Sequence, residues 1–262
     1  MATTATTTGL YHEVRGTGPA VLLIPGATGD AGTFTTAATR LADEFTVITY
    51  DRRGNSRSRA TGDPMAAATM SAQADDAADL IVACGFNKAV VYGNSGGAII
   101  ALELLARRPT MVKGAVVHEP PLIALLPQDG PNLLEPIFQL AQTDPRAALE
   151  AFVRVNTSDA AWEAIDSGTR ERILGNGETL FAREMGQFIS YQPDEAVLRA
   201  QRVPVVLLRS RDGLEFAPHV LAWLQDRLGV EVGTLSGQHS PFLDIPEVFA
   251  EELRPILRRL WN

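Results

Sequence analysis

The amino-acid sequence predicts an α/β fold with a mostly parallel central sheet and helices on both of its faces. Short β-branched runs alternate with longer segments of helical periodicity, which is the pattern of βαβ units. The strand segments are continuously apolar, as expected of strands that are covered on both faces. A long strand-free interval at residues 119–202 predicts, in addition, a helical insertion into this fold.

Each element is predicted from a local pattern. Apolar runs predict strands at residues 20–26, 45–51, 88–93, 112–118 and 203–210, a weaker strand at 230–236, and an amphipathic first strand around His12. Helical periodicity predicts helices at residues 31–43, 69–84, 96–107, 217–228 and 246–260. Asp244 is interpreted as the N-cap of the last helix, because it lies just ahead of Pro246.

The strand-free interval contains the stretches "EPIFQLAQ", "RAALEAFVRV" and "TLFAREMGQFISY", which are typical of amphipathic helices. We interpret residues 119–202 as a helical cap, or lid, inserted into a core made of residues 1–118 and 203–262. Because long insertions are usually functional, the cap is expected to close over a site. The alternative is a helical layer that has no role at any site.

Composition limits the class of partner. The 262 residues carry a formal net charge of -8 and offer no basic stripe for nucleic acid or for an anionic membrane surface, so a small molecule is the expected partner. Cys84 is the single cysteine, which excludes an internal disulfide and a thiolate metal cluster. The N-terminal "MATTATTTG" lacks the features of a secretory signal, and the chain has no run of about 18 apolar residues. We expect a cytoplasmic protein, whose oligomeric state the sequence does not specify.

The stretch "VVYGNSGGAII" places Ser95 between a predicted strand and a predicted helix. A very tight turn leaves no room for neighbouring side chains, which explains Gly93 and Gly97 two residues on either side. Such a turn exposes the hydroxyl at the carboxyl ends of the strands, where open α/β sheets bind ligands. The alternative is a phosphate-binding turn, which is disfavoured because no P-loop lysine follows and the glycine spacing is not G-x-G-x-x-G.

A serine hydroxyl becomes a good nucleophile only with a base within hydrogen-bond reach and a third group that orients the base. His239 lies in a loop after the last predicted strand and is preferred as the base to His118, which ends the fourth long strand. For the acid, Asp212 directly follows the fifth long strand. Glu119 is the alternative acid, because it follows the preceding strand.

Four stretches resemble the α/β-hydrolase family: "GNSGG", "IPGATGDAGTF", "YDRRGNSRS" and "GQHSPFLDIPEVFAEEL". The resemblance covers nearly the whole chain from Gly9, and Ser95, Asp212 and His239 follow the chain order that the family requires. By this resemblance, the backbone N–H groups of Ala27 and Gly96 would stabilise the negative oxygen of a tetrahedral intermediate.

The sequence departs from the family's usual pattern at three positions. Pro25 replaces a histidine in the second stretch, a change that is compatible with donation by backbone groups. Arg209 stands where many members have glycine before the acid. The third stretch resembles the pattern D-x-R-G-x-G-x-S, with Ser56 in place of its second glycine.

In this third stretch, Asp51, Arg53 and Gly54 are interpreted as structural.

The resemblance implies a serine hydrolase. No metal and no organic cofactor is expected, because the sequence has no ligand cluster with the required spacing. Ser95 would attack an ester, lactone or thioester carbonyl, His239 would transfer the proton, and Asp212 would hold the imidazole tautomer. Candidates for apolar walls contributed by the cap are Trp162, Phe181, Met185 and Phe188.

Two other functions stay open from the sequence. The same three residues could serve carbon–carbon bond hydrolysis, perhydrolysis with halide oxidation, or cofactor-free oxygenation, and Asn94 before the serine resembles the "GNS" turns of carbon–carbon hydrolases. The protein could also be a non-catalytic small-molecule receptor. A receptor has no need of a complete nucleophile, base and acid, so the enzyme is preferred.

Overall fold

Seven strands in the described part of the chain form one sheet in the order β1-β3-β2-β4-β5-β6-β7. The structure is a computed structural model that describes residues 9–58, 65, 68–127 and 134–262. The strands are β1 (His12–Arg15), β2 (Ala20–Ile24), β3 (Thr46–Tyr50), β4 (Ala89–Asn94), β5 (Val112–His118), β6 (Val205–Asp212) and β7 (Val232–Gln238). Strand β1 pairs antiparallel with β3, and the other pairings are parallel. The predicted α/β fold with a mostly parallel sheet is therefore confirmed.

Helices occupy the predicted connections between strands. They are α1 (Thr35–Leu41), α2 (Met70–Ala83), α3 (Gly96–Arg107), α4 (Glu135–Ala141), α5 (Pro145–Arg154), α6 (Asp159–Ala164), α7 (Ser167–Gly175), α8 (Gly177–Thr179), α9 (Met185–Ser190), α10 (Glu195–Ala200), α11 (Ala217–Leu228), α12 (Pro241–Asp244) and α13 (Pro246–Trp261). None of the helices in the described ranges has the length and apolar character to cross a membrane. Residues 1–8, on which the prediction about a secretory signal rests, lie outside the described residues.

Both faces of the sheet are covered, because successive residues of a strand point to opposite sides. In β2, Leu22 packs into a core with residues of α2, α3 and α11, whereas Leu23 packs into a second core with residues of α1 and α13. Every residue of β2, β3 and β4 is buried. This double burial is the physical reason for the continuous apolar runs in the sequence.

Asp244 does not cap α13, so that prediction is wrong. The N-cap position is occupied by Ile245, whose side chain makes no capping hydrogen bond. Asp244 ends the additional short helix α12, and its Oδ1 accepts hydrogen bonds from Thr157 Oγ1 and from the Ser158 N–H, both at 2.7 Å. The Asp244 side chain therefore joins the end of α12 to the start of α6.

Helices α4 to α10, which we call the inserted helices, lie between β5 and β6. Several begin at side chains that accept hydrogen bonds from the first turn, as N-cap residues do; these are Asp144, Ser158, Asp166 and Asp194. Polar contacts attach the inserted helices to loops at the carboxyl ends of the strands. Arg172 Nε donates to Asp30 Oδ2 at 2.8 Å, and Asn176 Nδ2 donates to Thr28 O at 2.8 Å.

Candidate active site

Ser95 lies at the turn between β4 and α3 in a backbone conformation that residues other than glycine rarely adopt, with φ 55° and ψ -127°. The turn is also tight, because a Cβ atom on Gly93 would overlap Gly97 O, and one on Gly97 would overlap Ile24 O. The Ser95 N–H donates to His118 O at 3.0 Å and so joins the turn to the end of β5. A strained residue held in this way by its surroundings is typical of functional sites.

His239 lies in the loop between β7 and α12 and is 4% exposed. Its Nδ1 is 2.6 Å from Glu119 Oε2. Glu119 follows β5 directly, has a positive φ of 46° and is 1% exposed. Its second oxygen, Oε1, accepts a hydrogen bond from the Ser210 N–H at 2.8 Å, and a Cβ atom on Gly213 would overlap this carboxylate. The carboxylate is thereby held in one orientation against the imidazole.

The structure brings Glu119 to His239 and leaves Asp212 apart from it, which differs from the preferred assignment made from the sequence. Asp212 is exposed at the end of β6, and in the described residues its side chain makes no hydrogen bond or ion pair with His239. The pairing of β6 with β7 is irregular between Ser210 and Asp212. In this stretch Ser210 is buried, whereas Asp212 lies on the solvent side. Strands β5 and β6 both end near the imidazole, and the backbone conformation at their ends determines which of the two carboxylates contacts it.

The charge state of Glu119 depends on its partner. Burial by itself would raise the pKa of this carboxyl, but the hydrogen bond from His239 and the positive charge that His239 can carry outweigh burial and lower the pKa. Glu119 is therefore ionised at neutral pH. An ionised carboxylate on Nδ1 keeps the proton on that nitrogen, so that Nε2 is free to accept another proton.

His118, the other candidate base, lies behind the site and is fully buried. Asn94 Nδ2 is 3.2 Å and Tyr92 Oη 2.8 Å from its Nδ1, and its Nε2 is 3.0 Å from Ser210 Oγ. Because the Asn94 amide nitrogen can only donate, Nδ1 is the acceptor and Nε2–H donates to Ser210. Burial is the main reason that the pKa of His118 is lowered to about 3. The charge on Glu119 raises this pKa, and the charge that His239 can carry lowers it further. A neutral ring in this position supports the site and does not face the cavity beside Ser95.

His118 predicts a pH dependence of stability. Its pKa is about 3 in the folded protein and 6.5 as a free side chain, so the unfolded chain binds a proton that the folded protein does not. This contribution to the free energy of unfolding is fully present above pH 6.5 and is lost as the pH falls toward 3, by about 5 kcal/mol. Urea unfolding of the wild type at pH 7, 6 and 5 measures the slope.

The matched variants for this test are His118→Gln and His219→Gln, since His219 lies exposed on α11. We expect His118→Gln to flatten the pH dependence of the free energy of unfolding and His219→Gln to leave it as in the wild type. A wild-type slope that survives in His118→Gln would contradict the assignment of a buried, neutral His118.

A cavity of about 30 Å³ lies at the carboxyl ends of the strands, beside Ser95 and His239. Its lining residues come from the core, from the inserted helices and from α12 with the residue before it; they are Gly26, Ala27, Thr28, Asn94, Ser95, Phe152, Val153, Asn156, His239, Ser240, Phe242 and Leu243. No hydrogen bond joins Ser95 Oγ to His239 within the described residues, and catalytic hydrogen bonds often tighten only once substrate is bound. The four apolar residues predicted as walls do not line this cavity.

Three residues of the "YDRRGNSRS" stretch, which begins at the end of β3, have contacts or a backbone conformation that agree with their interpretation as structural. Asp51 is buried and accepts hydrogen bonds from Arg57 Nε at 2.6 Å and from the Ala31 N–H at 2.8 Å. Arg53 Nε donates to Asp76 at 2.7 Å, and Gly54 has a φ of 78°. None of them lines the cavity.

Asn94 makes a contact with the His239 loop that the sequence did not reveal. Its Nδ2 donates to the backbone carbonyl oxygen of His239 at 2.9 Å, so the residue before the serine holds the loop that carries the imidazole. The "GNS" motif marks the position of Asn94. The contact joins Asn94 to His239, which lie far apart in the chain, so no local sequence pattern predicts it.

A strained serine at a strand-to-helix turn, beside a buried histidine–carboxylate pair at the carboxyl ends of a parallel sheet, is the arrangement found in hydrolases of the α/β class. The chain belongs to the alpha/beta hydrolase family, whose model matches residues 21–252. By sequence it is 28% identical over 256 residues to the uncharacterized hydrolase YraK of Bacillus subtilis, covering 95% of this chain and 93% of that protein. It is 26% identical over 251 residues to a zearalenone hydrolase of Bionectria ochroleuca, covering 92% of this chain and 90% of that protein.

Solved structures of hydrolases share the fold. The enol-lactonase from Burkholderia xenovorans LB400 superposes with a TM-score of 0.78 at 18% identity, covering 98% of this chain and 100% of that chain. A thermophilic esterase from Thermogutta terrifontis superposes with a TM-score of 0.76 at 22% identity, covering 100% of this chain and 99% of that chain. The family and the relatives that are similar in sequence support a hydrolase, and the solved structures show the shared fold.

Proposed function

We propose that the protein is a serine hydrolase that cleaves an ester-type bond of a small molecule through an acyl-enzyme on Ser95. In this proposal His239 is the general base and Glu119 the acid that orients it. The observation that carries the proposal is the 2.6 Å contact between His239 Nδ1 and Glu119 Oε2. The imidazole of this pair lines the same cavity as Ser95, which lies in a strained turn.

The chemistry follows from these groups. Ser95 Oγ attacks the substrate carbonyl carbon while its proton passes to His239 Nε2, and the imidazolium then gives that proton to the leaving alcohol as the ester C–O bond breaks. A water molecule repeats the sequence on the acyl-enzyme and releases the acid. Throughout, the carboxylate of Glu119 accepts the Nδ1–H and stabilises the positive ring. The proposed reaction requires no cofactor.

The backbone N–H groups of Ala27 and Gly96 are the proposed donors to the negative oxygen that forms in the transition state. Gly96 is the first residue of α3, whose opening amides have no partner inside the helix. In the described part of the chain, the Ala27 N–H makes no hydrogen bond to a protein acceptor. A Cβ atom on Gly26 would lie 3.2 Å from Ser95 Cβ, so the Gly26–Ala27 peptide adjoins the serine. Removing one such donor costs about 3 to 4 kcal/mol in activation free energy.

For the substrate, we propose an uncharged ester or lactone with an apolar acyl part. Phe152, Val153, Phe242 and Leu243 supply apolar walls, and Asn156 adds an amide. The cavity of about 30 Å³ is small, and we propose that the inserted helices form a cap over it that moves to admit substrate. Relatives of similar fold named as an enol-lactonase and as N-acyl homoserine lactonases make lactones the first class to assay.

A fluorophosphonate probe tests the proposal, because it reacts with an activated serine and with few other groups. We expect the folded wild type to gain one covalent adduct, located on Ser95 by peptide mass spectrometry. The matched control is Ser240→Ala, which removes a second hydroxyl from the same cavity and should keep the adduct, whereas Ser95→Ala should lose it. A folded wild type that stays unlabelled would favour the non-catalytic receptor.

A further inference from the structure

We propose that Arg52 is a positioning residue for the proposed oxyanion site. Its guanidinium holds the Gly26–Ala27 peptide so that the Ala27 N–H points toward the reacting oxygen, and Glu184 of the inserted helices holds the guanidinium. The inference rests on the proposed function. It assigns a role to the "x" of the D-x-R-G pattern, a position for which the family resemblance implies none.

Arg52 is 1% exposed and donates twice to one carbonyl oxygen. Its Nε is 3.2 Å and its Nη2 3.1 Å from Gly26 O, and the Gly29 N–H donates to the same oxygen at 3.1 Å. A peptide unit is planar and trans, so its C=O and N–H point in opposite directions. Three donors on Gly26 O therefore fix the direction of the Ala27 N–H.

The peptide held by Arg52 lies beside the nucleophile. A Cβ atom on Gly26 would be 2.9 Å from Asn94 O and 3.2 Å from Ser95 Cβ. The positive charge on the carbonyl side of the peptide also polarises the amide, since hydrogen bonds in a chain strengthen one another. Arg52 thus directs the Ala27 N–H and strengthens it as a donor without touching the substrate.

Glu184 fixes Arg52 from the opposite side. It is fully buried at the end of a π-helical turn, Leu180–Glu184, and its two oxygens lie 2.6 Å from Nη1 and 2.8 Å from Nη2 of Arg52. Asn55 Nδ2 donates to Glu184 Oε1 at 3.0 Å, and Gln73 Oε1 accepts from Nη1 at 2.5 Å. Isolated π-turns within helices are frequent at functional sites.

Stability alone is a poor explanation for this arrangement. Burying an ion pair costs desolvation that often cancels its attraction, and apolar residues of similar volume are commonly as stable. What an apolar pair cannot supply is a planar cation with two N–H groups on one carbonyl and two on a carboxylate. The ion pair also joins the inserted helices to the peptide that carries the Ala27 N–H.

Two variants test the role of Arg52. Arg52→Lys keeps a cation for Glu184 but loses the planar fork, and Arg52→Met/Glu184→Met replaces the pair without leaving a buried charge. Loss of a whole oxyanion donor lowers kcat by about 10²- to 10³-fold, and a misdirected donor by less, so we expect about a 10-fold fall for both variants. The measurements are kcat and KM for p-nitrophenyl acetate and the rate constant for inactivation by the fluorophosphonate.

The matched control is Arg172→Lys, which alters another ion pair between the inserted helices and the core, Arg172 with Asp30; among the described residues, neither of these side chains makes a hydrogen bond to Gly26. Support for the proposal is a fall in kcat and in the inactivation rate for both Arg52 variants, with KM near the wild-type value, cooperative thermal unfolding, and Arg172→Lys within about twofold of wild type.

Folded Arg52 variants with wild-type kcat on a protein that is labelled at Ser95 would overturn the role of Arg52 and leave the proposed function standing. A fall in kcat that Arg172→Lys reproduces would also overturn it, because general loosening of the inserted helices would then suffice. A wild type that is not labelled at Ser95 would overturn both the proposed function and this inference.

Discussion

Replacing Ser95 by alanine is expected to lower kcat/KM for p-nitrophenyl acetate and butyrate by about 10⁴- to 10⁶-fold. The change removes the oxygen that is proposed to form the acyl-enzyme, while the proposed oxyanion donors stay in place and account for the small residual rate. Alanine introduces no atom that serine lacks, so the fold should be retained. Initial rates measured beside circular dichroism and thermal unfolding would establish both points.

Ser240→Ala is the control for the kinetic experiment, since this side chain lines the same cavity and has no part in the proposed chemistry. It should keep kcat/KM within a few-fold of wild type. Full turnover by purified Ser95→Ala would rule out Ser95 as the nucleophile and, with it, the acyl-enzyme mechanism.

Glu119→Gln is the second substitution with a large expected effect, a loss of about 10³- to 10⁴-fold in kcat. A glutamine amide can donate to Nδ1 and so stabilise the tautomer whose Nε2 already carries a proton, and it removes the negative charge that stabilises the imidazolium. Asp212→Asn should retain kcat within about twofold, because Asp212 lies exposed and out of contact with His239. Steady-state kinetics of both variants on one p-nitrophenyl ester gives the comparison.

The pH of this assay matters for its interpretation. Folding lowers the pKa of Glu119 from its ordinary value of 4.5. The stability that this carboxylate contributes is therefore present above pH 4.5 and is lost as the pH falls through the lower, folded pKa. Assays near pH 7.5 therefore report on catalysis with the group ionised. If Asp212→Asn lost the activity and Glu119→Gln kept it, the acid would be Asp212.

The sheet and the serine turn could be predicted because their causes are local. Strands covered on both faces must be apolar at every position, and β2 to β5 are found at the expected segments. The turn at Ser95 needs glycine where side chains would overlap the backbone, as at Gly93 and Gly97, and that requirement is written in five consecutive residues.

The contact between Glu119 and His239 could not be predicted, because it depends on how two strand ends are arranged in space. Glu119 contacts His239 because its backbone has a positive φ and because Gly213, the residue after β6, has no side chain to occupy the space of the carboxylate. Chain order alone favoured Asp212. The pairing of Arg52 with Glu184 escaped prediction for the same reason, since 132 residues separate the two side chains.

The position of the inserted helices in the chain has an evolutionary consequence. Ser95, Glu119 and His239 all follow strands of the core, whereas Phe152, Val153 and Asn156 come from one continuous stretch between β5 and β6. Under the proposed function, mutations, insertions or exchange of that stretch change substrate recognition and leave the three proposed reacting groups in place. In this way, related proteins with the same fold can differ in the substrates they accept and still share the groups proposed to break the bond.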